Sequence, residues 1–333
     1  MRLDKGNMKG IIILAFVYIA LGTVITSVMI NRYFKRPQKG WDDPSLDSAG
    51  SRSPYIDEIK KSQEWLSRQD CEQVRIKSFD GLTLAATLLT NPQQNKKETV
   101  ILMHGYKSLA SFDFAGIYEY FYGEGYNVLL CDQRTHGNSE GTYITLGIKE
   151  RYDCLSWIDC VNTRFGTDDS VWLFGVSMGA ATVLMAAGHE LPPNVKGIIA
   201  DCGFTSPGKI LELGLKNQYH LPAALFMPFI NLGIRIFCGY GPYSYSTLAA
   251  LSPHEKKSQT PLVGGLNKNT GTNNVKILFV HGTKDNFVPL TMSEENFAAF
   301  TGHKVFLKTG AEHAASFLCD RELYVKALKD FMQ

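Results

Sequence analysis

The segment that decides the fold is VWLFGVSMGAATVLMAAG, residues 171–188. Its first four residues, VWLF, predict a short buried strand, and the run that begins at Met178 predicts a helix. Between them, Gly175-Val176-Ser177-Met178-Gly179 matches the pattern Gly-x-Ser-x-Gly. In this pattern small residues allow a sharp turn that presents the serine hydroxyl at the start of the helix. Ser177 is therefore the candidate nucleophile.

The same pattern occurs a second time, at residues 137–141, with Ser139 at its centre. Residues 134–136 separate this serine from the preceding strand candidate, and the TYITLG that follows is not the start of a helix. A nucleophile elbow needs a strand, a sharp turn and a helix in direct succession. Ser139 lacks that context, which leaves Ser177 as the prediction.

Strand-like and helix-like segments alternate along the rest of the chain. The strand candidates are Glu72–Phe79, Leu82–Thr90, Thr99–Met103, Asn127–Cys131, Val171–Phe174, Val195–Ala200, Val275–Val280 and Lys304–Lys308. The helix candidates are Tyr55–Arg68, Phe112–Tyr122, Ile148–Arg164, Met178–Ala187, Thr291–Phe300 and Arg321–Met332. Asp80-Gly81 predicts an antiparallel hairpin between the first two strands. Short, apolar later strands that alternate with helices predict an α/β fold, with a mostly parallel, doubly wound sheet.

An insertion interrupts this alternation between the strands that begin at Val195 and Val275. The gap is too long for a simple crossover, so we expect a helical cap over the sheet at about residues 204–258. Its apolar segment Leu221–Tyr240 contains two prolines and Arg235, which disfavours a second membrane span. Its large apolar residues could line a pocket for an apolar ligand, dip toward a bilayer or pack the insertion onto the sheet; they are Phe226, Phe229, Ile230 and Phe237. The Gly/Asn-rich stretch 261–274 is expected to be an exposed loop.

The N-terminus differs in kind from the rest of the chain. Residues 10–30 carry no charge, and a run of about 20 apolar residues is long enough to cross a bilayer as one helix. We therefore expect a tail and transmembrane anchor at 1–36, a linker at 37–54 and one folded domain at 55–333. The numbers of basic residues on the two sides of the span are nearly equal, so the positive-inside rule decides little about its orientation. The expectation is a single-pass protein of the cell membrane with its domain outside the cytoplasm, although the odd number of cysteines, seven, favours a reducing compartment.

A serine hydroxyl becomes a good nucleophile only when a base takes its proton, and a carboxylate must orient that base. Downstream of Ser177, Asp285 follows the strand candidate VKILFV and His313 follows the strand candidate that begins at Lys304. Both therefore lie at the sheet edge where sites form in open α/β sheets. Asp201 and Glu312 are the rival acids, and Asp285 is preferred because chain order, side of the sheet and residue type all agree.

The anion that develops when a serine attacks a carbonyl group needs two fixed N–H donors. The first expected donor is the backbone N–H of Met178, directly after the nucleophile. The second is assigned to the N–H of Tyr106, in the His104-Gly105-Tyr106 loop after the strand TVILM.

Composition excludes several other classes of protein. The formal net charge of +2 gives no basic stripe for nucleic acid. The cysteines lack the paired spacing of a zinc site or a small disulfide scaffold, and no Gly-x-Gly-x-x-Gly fingerprint is present. No metal and no organic cofactor is expected, and the oligomeric state is left open.

Taken together, the ordered motifs resemble those of an α/β-hydrolase, closest to the bacterial serine aminopeptidase-like hydrolases. They are HGY at 104–106, DQRTHGNSEG at 132–141, GVSMGA at 175–180, DCGFTSP at 201–207, HGTKDNFVP at 281–289 and GAEH at 310–313. The resemblance covers roughly residues 70–333 and implies the fold, the Ser177–His313–Asp285 triad and the oxyanion donors. It also implies that Asp132 and Arg134 brace loops near the site.

The expected reaction is hydrolysis of a carboxylic ester or related acyl bond through an acyl-enzyme, with a small-molecule or lipid-like acyl substrate. A peptidase or an acyltransferase would use the same triad. A membrane-tethered binding module without turnover is the alternative from another class.

Overall fold

A computed structural model describes residues 5–37, 50–93, 96–252 and 275–333. Residues 38–49 of the expected linker and the Gly/Asn-rich stretch 261–274 lie outside these ranges, as do residues 253–258 of the expected cap.

Eight strands of the described chain form one sheet, in the order β1-β2-β4-β3-β5-β6-β7-β8. The strands are β1 (Glu72–Lys77), β2 (Thr83–Leu89), β3 (Glu98–Met103), β4 (Asn127–Asp132), β5 (Ser170–Val176), β6 (Val195–Asp201), β7 (Lys276–Gly282) and β8 (Lys304–Thr309). β2 runs antiparallel to both of its neighbours, and all the other pairs are parallel. The predicted α/β-hydrolase fold is confirmed. Strands β3 to β7 are buried on both faces, as their nearly continuous apolar sequences predict.

The described chain contains twelve α-helices, and those that follow α1 include helices on both faces of the sheet. They are α1 (Lys5–Met29), α2 (Ile56–Ser67), α3 (Ala110–Asp113), α4 (Ile117–Gly123), α5 (Glu150–Phe165), α6 (Met178–Ala186), α7 (Pro207–Tyr219), α8 (Ala223–Cys238), α9 (Thr247–Leu251), α10 (Leu290–Ala299), α11 (Ser316–Cys319) and α12 (Arg321–Met332). The predicted helix Phe112–Tyr122 is two helices, because the chain turns at Gly116, which has φ +77° and lets α4 start in a new direction.

The N-terminal helix α1 continues into a short π-helical turn, Ile30–Phe34. Met8–Phe34 is long and apolar enough to cross a membrane, and only 11% of its most apolar window is buried. The last part of the helix is the exception, because Ile30 and Phe34 are buried in the domain. Beyond it, the backbone N–H of Ile144 donates to the carbonyl of Phe34 over 2.8 Å. The end of the helix is therefore fixed to the domain.

The insertion between β6 and β7 supplies α7, α8 and α9. Ser206 caps the start of α7, where its side chain accepts a hydrogen bond from the backbone N–H of Lys209. Phe226 and Ile230 of α8 are buried in one apolar cluster with Met178, at the start of α6. The insertion thus packs directly above the helix that follows Ser177.

Candidate active site

Ser177 occupies a tight turn between the end of β5 at Val176 and the start of α6 at Met178. Its backbone is strained, with φ 54° and ψ −113°, and strain of this kind is characteristic of functional sites. Gly175 and Gly179 make the turn possible. A side chain on Gly175 would collide with the carbonyl of Gly179, and one on Gly179 would collide with the carbonyl of Met103 on β3.

Three predicted residues meet at this turn in one hydrogen-bonded chain. Nε2 of His313 lies 2.9 Å from Oγ of Ser177, and Nδ1 of the same ring lies 2.7 Å from Oδ2 of Asp285. Asp285 follows β7 and His313 follows β8, so parallel strands bring both to the edge that carries Ser177. Ser177 is only 6% exposed. This geometry allows the serine proton to pass to a histidine whose orientation a carboxylate fixes.

Asp285 is held in its ionised form. Burial raises its pKa, but hydrogen bonds from His281 and His313 outweigh burial and lower the pKa of Asp285 well below its ordinary value. Its Oδ1 accepts the backbone N–H groups of Phe287 and Val288, each at 2.9 Å. A carboxylate that accepts several hydrogen bonds remains charged, and so it can stabilise a protonated His313.

His281 is a partner of Asp285 that the sequence analysis missed. It is fully buried, and its Nε2 lies 2.9 Å from the carbonyl of Val288 and 3.2 Å from Oδ2 of Asp285. Because a carbonyl can only accept, Nε2 carries the proton and Nδ1 accepts from Oγ of Ser293 at 2.7 Å. The spacing His-x-x-x-Asp, from the end of β7 at His281 to the loop at Asp285, was the available signal.

The rival acids are placed differently. Asp201 ends β6, and its carboxylate accepts hydrogen bonds from Ser316 and from Tyr324, at 3.3 and 3.0 Å. Burial raises the pKa of Asp201. Its backbone carbonyl accepts the N–H of Ser177 at 2.8 Å, which gives it a structural part in the elbow. Glu312 is exposed. The carboxylate that is hydrogen-bonded to His313 is that of Asp285.

The predicted oxyanion donors lie on two sides of Ser177. The N–H of Met178 is at the first position of α6, where backbone N–H groups point out of the helix. On the other side, a Cβ built on Gly105 would lie 3.4 Å from Cβ of Ser177, so the loop of residues 104–106 passes directly beside the nucleophile. The N–H of Gly105 itself donates to Oδ2 of Asp113 at 2.5 Å. Tyr106, the next residue, therefore stays the candidate for the second donor.

A buried ion pair that the sequence analysis did not predict supports this loop. Asp113 is fully buried, accepts from Gly105 and Ser108, and pairs with the guanidinium of Arg52, which is itself buried. Arg52 precedes α2, in a segment whose composition resembles a linker, so no local pattern marked it. The pair connects the start of the domain with the loop beside Ser177.

The second Gly-x-Ser-x-Gly motif is part of the scaffold. Oγ of Ser139 accepts the N–H of Ala85 at 2.8 Å and donates to the carbonyl of Asp132 at 2.6 Å. Oδ2 of Asp132 accepts the N–H of Asn138 at 2.8 Å. Arg134 bridges two carboxylates, those of Asp80 and Asp153.

One group of potential metal ligands occurs within the described ranges, and it overlaps the site. Ligand atoms of Cys202, Asp285 and His313 lie within 4.8 Å of one another. Burial raises the pKa of the Cys202 thiol well above its ordinary value, whereas a metal ligand must be a thiolate. Nδ1 of His313 already bonds Asp285. The group fits a hydrogen-bonded triad beside an uncharged thiol better than a metal centre.

The sheet order, the elbow at Ser177 and the placement of Asp285 and His313 after the last two strands define the class: the chain is an α/β-hydrolase by fold. Residues 94–227, less than half of the chain, match the family described as serine aminopeptidase, S33. The Bacillus subtilis protein YqkD is 27% identical over 237 residues, which cover 70% of each chain. The acyltransferase drtE of Aspergillus calidoustus is 26% identical over 157 residues, 46% of this chain and 49% of drtE.

Solved structures agree on the fold. The esterase Pf2001 of Pyrococcus furiosus superimposes with a TM-score of 0.61 at 22% identity, covering 81% of this chain and 92% of that one. The protein Est1E of Butyrivibrio proteoclasticus, solved with ferulic acid bound, gives a TM-score of 0.54 at 20% identity, covering 78% and 97%.

Proposed function

We propose that this α/β-hydrolase is a membrane-anchored serine hydrolase that cleaves a carboxylic ester or a related acyl bond. The observation that carries the proposal is the chain of two hydrogen bonds from Ser177 through His313 to Asp285, located at a strained turn between a strand and a helix.

In the proposed reaction, Oγ of Ser177 attacks the carbonyl carbon of the substrate while Nε2 of His313 takes the serine proton. Asp285 stabilises the imidazolium that results. The N–H groups of Met178 and Tyr106 hold the oxyanion. His313 then gives its proton to the leaving group, an alcohol in the case of an ester, and leaves Ser177 acylated. A water molecule, deprotonated by His313, hydrolyses the acyl-enzyme and restores the serine.

An ester is the preferred substrate class because its alcohol leaves more easily than an amine. One protein of similar fold, Pf2001, is named an esterase, and another, Est1E, was solved with a carboxylic acid, ferulic acid, bound. Peptide hydrolysis is the second candidate, and the match of residues 94–227 to the serine aminopeptidase family favours it. Acyl transfer is the third, favoured by the similarity to drtE.

One cleft of the described chain is not assigned as the substrate pocket. That cleft, of about 590 Å³, lies between α7, the start of α8 and α10, and none of Ser177, His313 and Tyr106 lines it. Phe287 is the better candidate for substrate contact, because its exposed ring lies 5.0 Å from the ring of His313.

The test compares the full-length wild type, Ser177→Ala and Ser139→Ala with a fluorophosphonate probe and p-nitrophenyl esters of graded acyl length. Ser139→Ala is the matched control, since it removes the serine of the same pentapeptide motif. We expect labelling and turnover to be lost in Ser177→Ala and retained in folded Ser139→Ala. Labelling without ester turnover would move the proposal to peptides or acyl transfer. Folded wild type that does not label would favour the non-catalytic binding module.

The proposed location is the cell membrane, with α1 as a single span and the domain outside the cytoplasm. Cys319 is an exposed thiol on the domain and can report the side. A membrane-impermeant maleimide applied to intact cells should label the wild type and leave Cys319→Ser much less labelled. Labelling of Cys319 only after the cells are opened would place the domain inside.

A further inference from the structure

Helix α8 exposes an apolar stripe along its length, which we call the α8 stripe: Leu225, Pro228, Leu232 and Ile236. Leu225, Leu232 and Ile236 are 50%, 57% and 67% exposed. Spacings of three, four and four residues place these side chains on one face of a helix. The opposite face carries Phe226 and Ile230, which are buried in the domain core. A helix that is apolar on all sides is typical of a protein interior or a membrane.

The position of α8 beside α1 distinguishes between these two environments. A Cβ built on Gly22 of α1 would lie 2.7 Å from the ring of Phe229, and one built on Gly233 of α8 would collide with the side chain of Thr26. Small residues thus let the two backbones approach closely, as they do between helices packed within membranes. One turn earlier, the hydroxyl of Tyr18 donates to the carbonyl of Leu225 over 2.6 Å.

These contacts also fix the depth of α8. Pairs 18 with 225, 22 with 229 and 26 with 233 advance in the same direction along both helices. The two helices are therefore parallel, and the first ten or so residues of α8 lie level with residues 16–26 of α1. Those residues belong to the segment Met8–Phe34 that is apolar enough to cross a bilayer.

The charge pattern agrees with this depth. No charged residue occurs between Leu221 and Ile234. Arg235 lies in the last turn of α8, where its Nε is 3.3 Å from Oδ1 of Asn231. An arginine at the end of a membrane helix can extend its guanidinium to the polar interface.

The domain cannot leave the bilayer and lift α8 away, because the end of α1 is bound to it. The hydroxyl of Tyr106 donates to the carbonyl of Tyr33 at 2.6 Å, and Nζ of Lys107 donates to the carbonyl of Arg32 at 2.8 Å. With Phe34 buried in the core, α1, α8 and the loop beside Ser177 form one packed unit.

We infer that α8 enters the bilayer beside α1 without crossing it. The α8 stripe then contacts the acyl chains of the bilayer that α1 crosses. The inference depends on α1 lying in the membrane and is independent of the catalytic proposal. Its consequence is that the cap of this hydrolase is partly embedded in lipid.

The experiment measures the lipid exposure of single cysteines in the full chain. The background replaces the exposed and half-buried thiols by serine: Cys71, Cys160 and Cys319. A fluorophore is then attached at Leu232→Cys on the stripe, at Leu14→Cys on the most exposed part of α1, or at Leu323→Cys on α12, which is 39% exposed and packs beside β8. Each protein is reconstituted in phosphatidylcholine and phosphatidylglycerol vesicles, with or without a nitroxide on the acyl chain.

We expect nitroxide quenching at position 232 to approach that at position 14 and to be several-fold greater than that at 323, while aqueous iodide quenches 323 alone. Quenching at 232 by iodide, as at 323, would overturn the inference. Protection at 232 from both quenchers would also overturn it, because the stripe would then be covered by protein, for example a second copy. If the lipid nitroxide quenched neither position 232 nor position 14, α1 itself would not lie in the membrane. Circular dichroism confirms that each variant is folded before it is compared.

Discussion

Replacing Asp285 by asparagine tests the proposed triad most directly, because it changes one atom and preserves the shape of the side chain. The asparagine oxygen would keep the two hydrogen bonds from Phe287 and Val288. Its NH₂ group would then face Nδ1 of His313. An amide NH₂ donates, so Nδ1 would have to accept, and the ring proton would move to Nε2, which faces Ser177. A histidine protonated there cannot take the serine proton.

The expected fall in kcat of Asp285→Asn has two causes: the wrong tautomer of His313, and the loss of the charge that stabilises the imidazolium. For a triad of this geometry we expect kcat to fall by about 10³- to 10⁴-fold. At 1.36 kcal/mol for each factor of ten, this corresponds to about 4–5.5 kcal/mol of transition-state stabilisation. The assay is turnover of the best p-nitrophenyl ester, together with the rate of fluorophosphonate labelling, since both need an activated Ser177.

Asp201→Asn is the matched control, because it makes the same change in a buried carboxylate at the neighbouring strand end. Its hydrogen bonds go to Ser316 and Tyr324, whose hydroxyl groups can also accept from an amide. We expect a loss of about 1–2 kcal/mol in unfolding free energy and a kcat that stays within a factor of about ten. A larger kcat loss in Asp201→Asn than in Asp285→Asn would refute the assignment of the acid.

Two further predictions concern stability. Asp113→Asn should lower the unfolding free energy by about 3–5 kcal/mol, because it removes one charge of the buried ion pair between Arg52 and Asp113. In urea denaturation, the double variant Arg52→Met/Asp113→Asn should recover part of that loss, because the amide oxygen still offers an acceptor to the buried donors Gly105 and Ser108; a single variant as stable as wild type would contradict the reasoning. Burial, and then the charge of Arg151, lower the pKa of His189 to about 4, so the unfolded chain takes up its proton first as the pH falls below about 6.5. The resulting stability is present above pH 6.5 and should be lost toward pH 4, by about 1–2 kcal/mol at pH 5. Urea denaturation of the wild type and of His189→Gln at pH 7.5 and pH 5 measures this loss, which should be smaller in His189→Gln. Equal losses of unfolding free energy in both proteins would exclude this histidine as the cause.

Much of the fold could be predicted because its signals are local. The apolar runs of β3 to β7, and the strand–turn–helix sequence around Ser177, are readable within windows of a few residues. Because Asp285 and His313 each follow a later strand candidate, both were predicted at the sheet edge where sites form in open α/β sheets. The structure brings these three side chains together, as the prediction requires.

What the sequence could not show depends on contacts between distant segments. The bond between Arg52 and Asp113 joins residues 61 apart, and Arg52 lies in a segment with the composition of a linker. The packing of α1 on α8 joins residues about two hundred apart and depends on Gly22 and Gly233, which carry no hydropathy signal. His281 was missed because its role depends on the turn that carries Asp285 back toward it.

The proposed anchor and the candidate active site, which composition separates at residue 36, pack against each other. Phe34 is buried in the same cluster as Met178, one of the two proposed oxyanion donors. Tyr106, the other, donates its hydroxyl to the last turn of the anchor. The guanidinium of Arg36 donates to the carbonyls of Gly137 and Ser139, in the second Gly-x-Ser-x-Gly motif. In the proposed membrane arrangement, a change in how α1 lies in the bilayer would therefore act on the loops beside Ser177 through direct contacts.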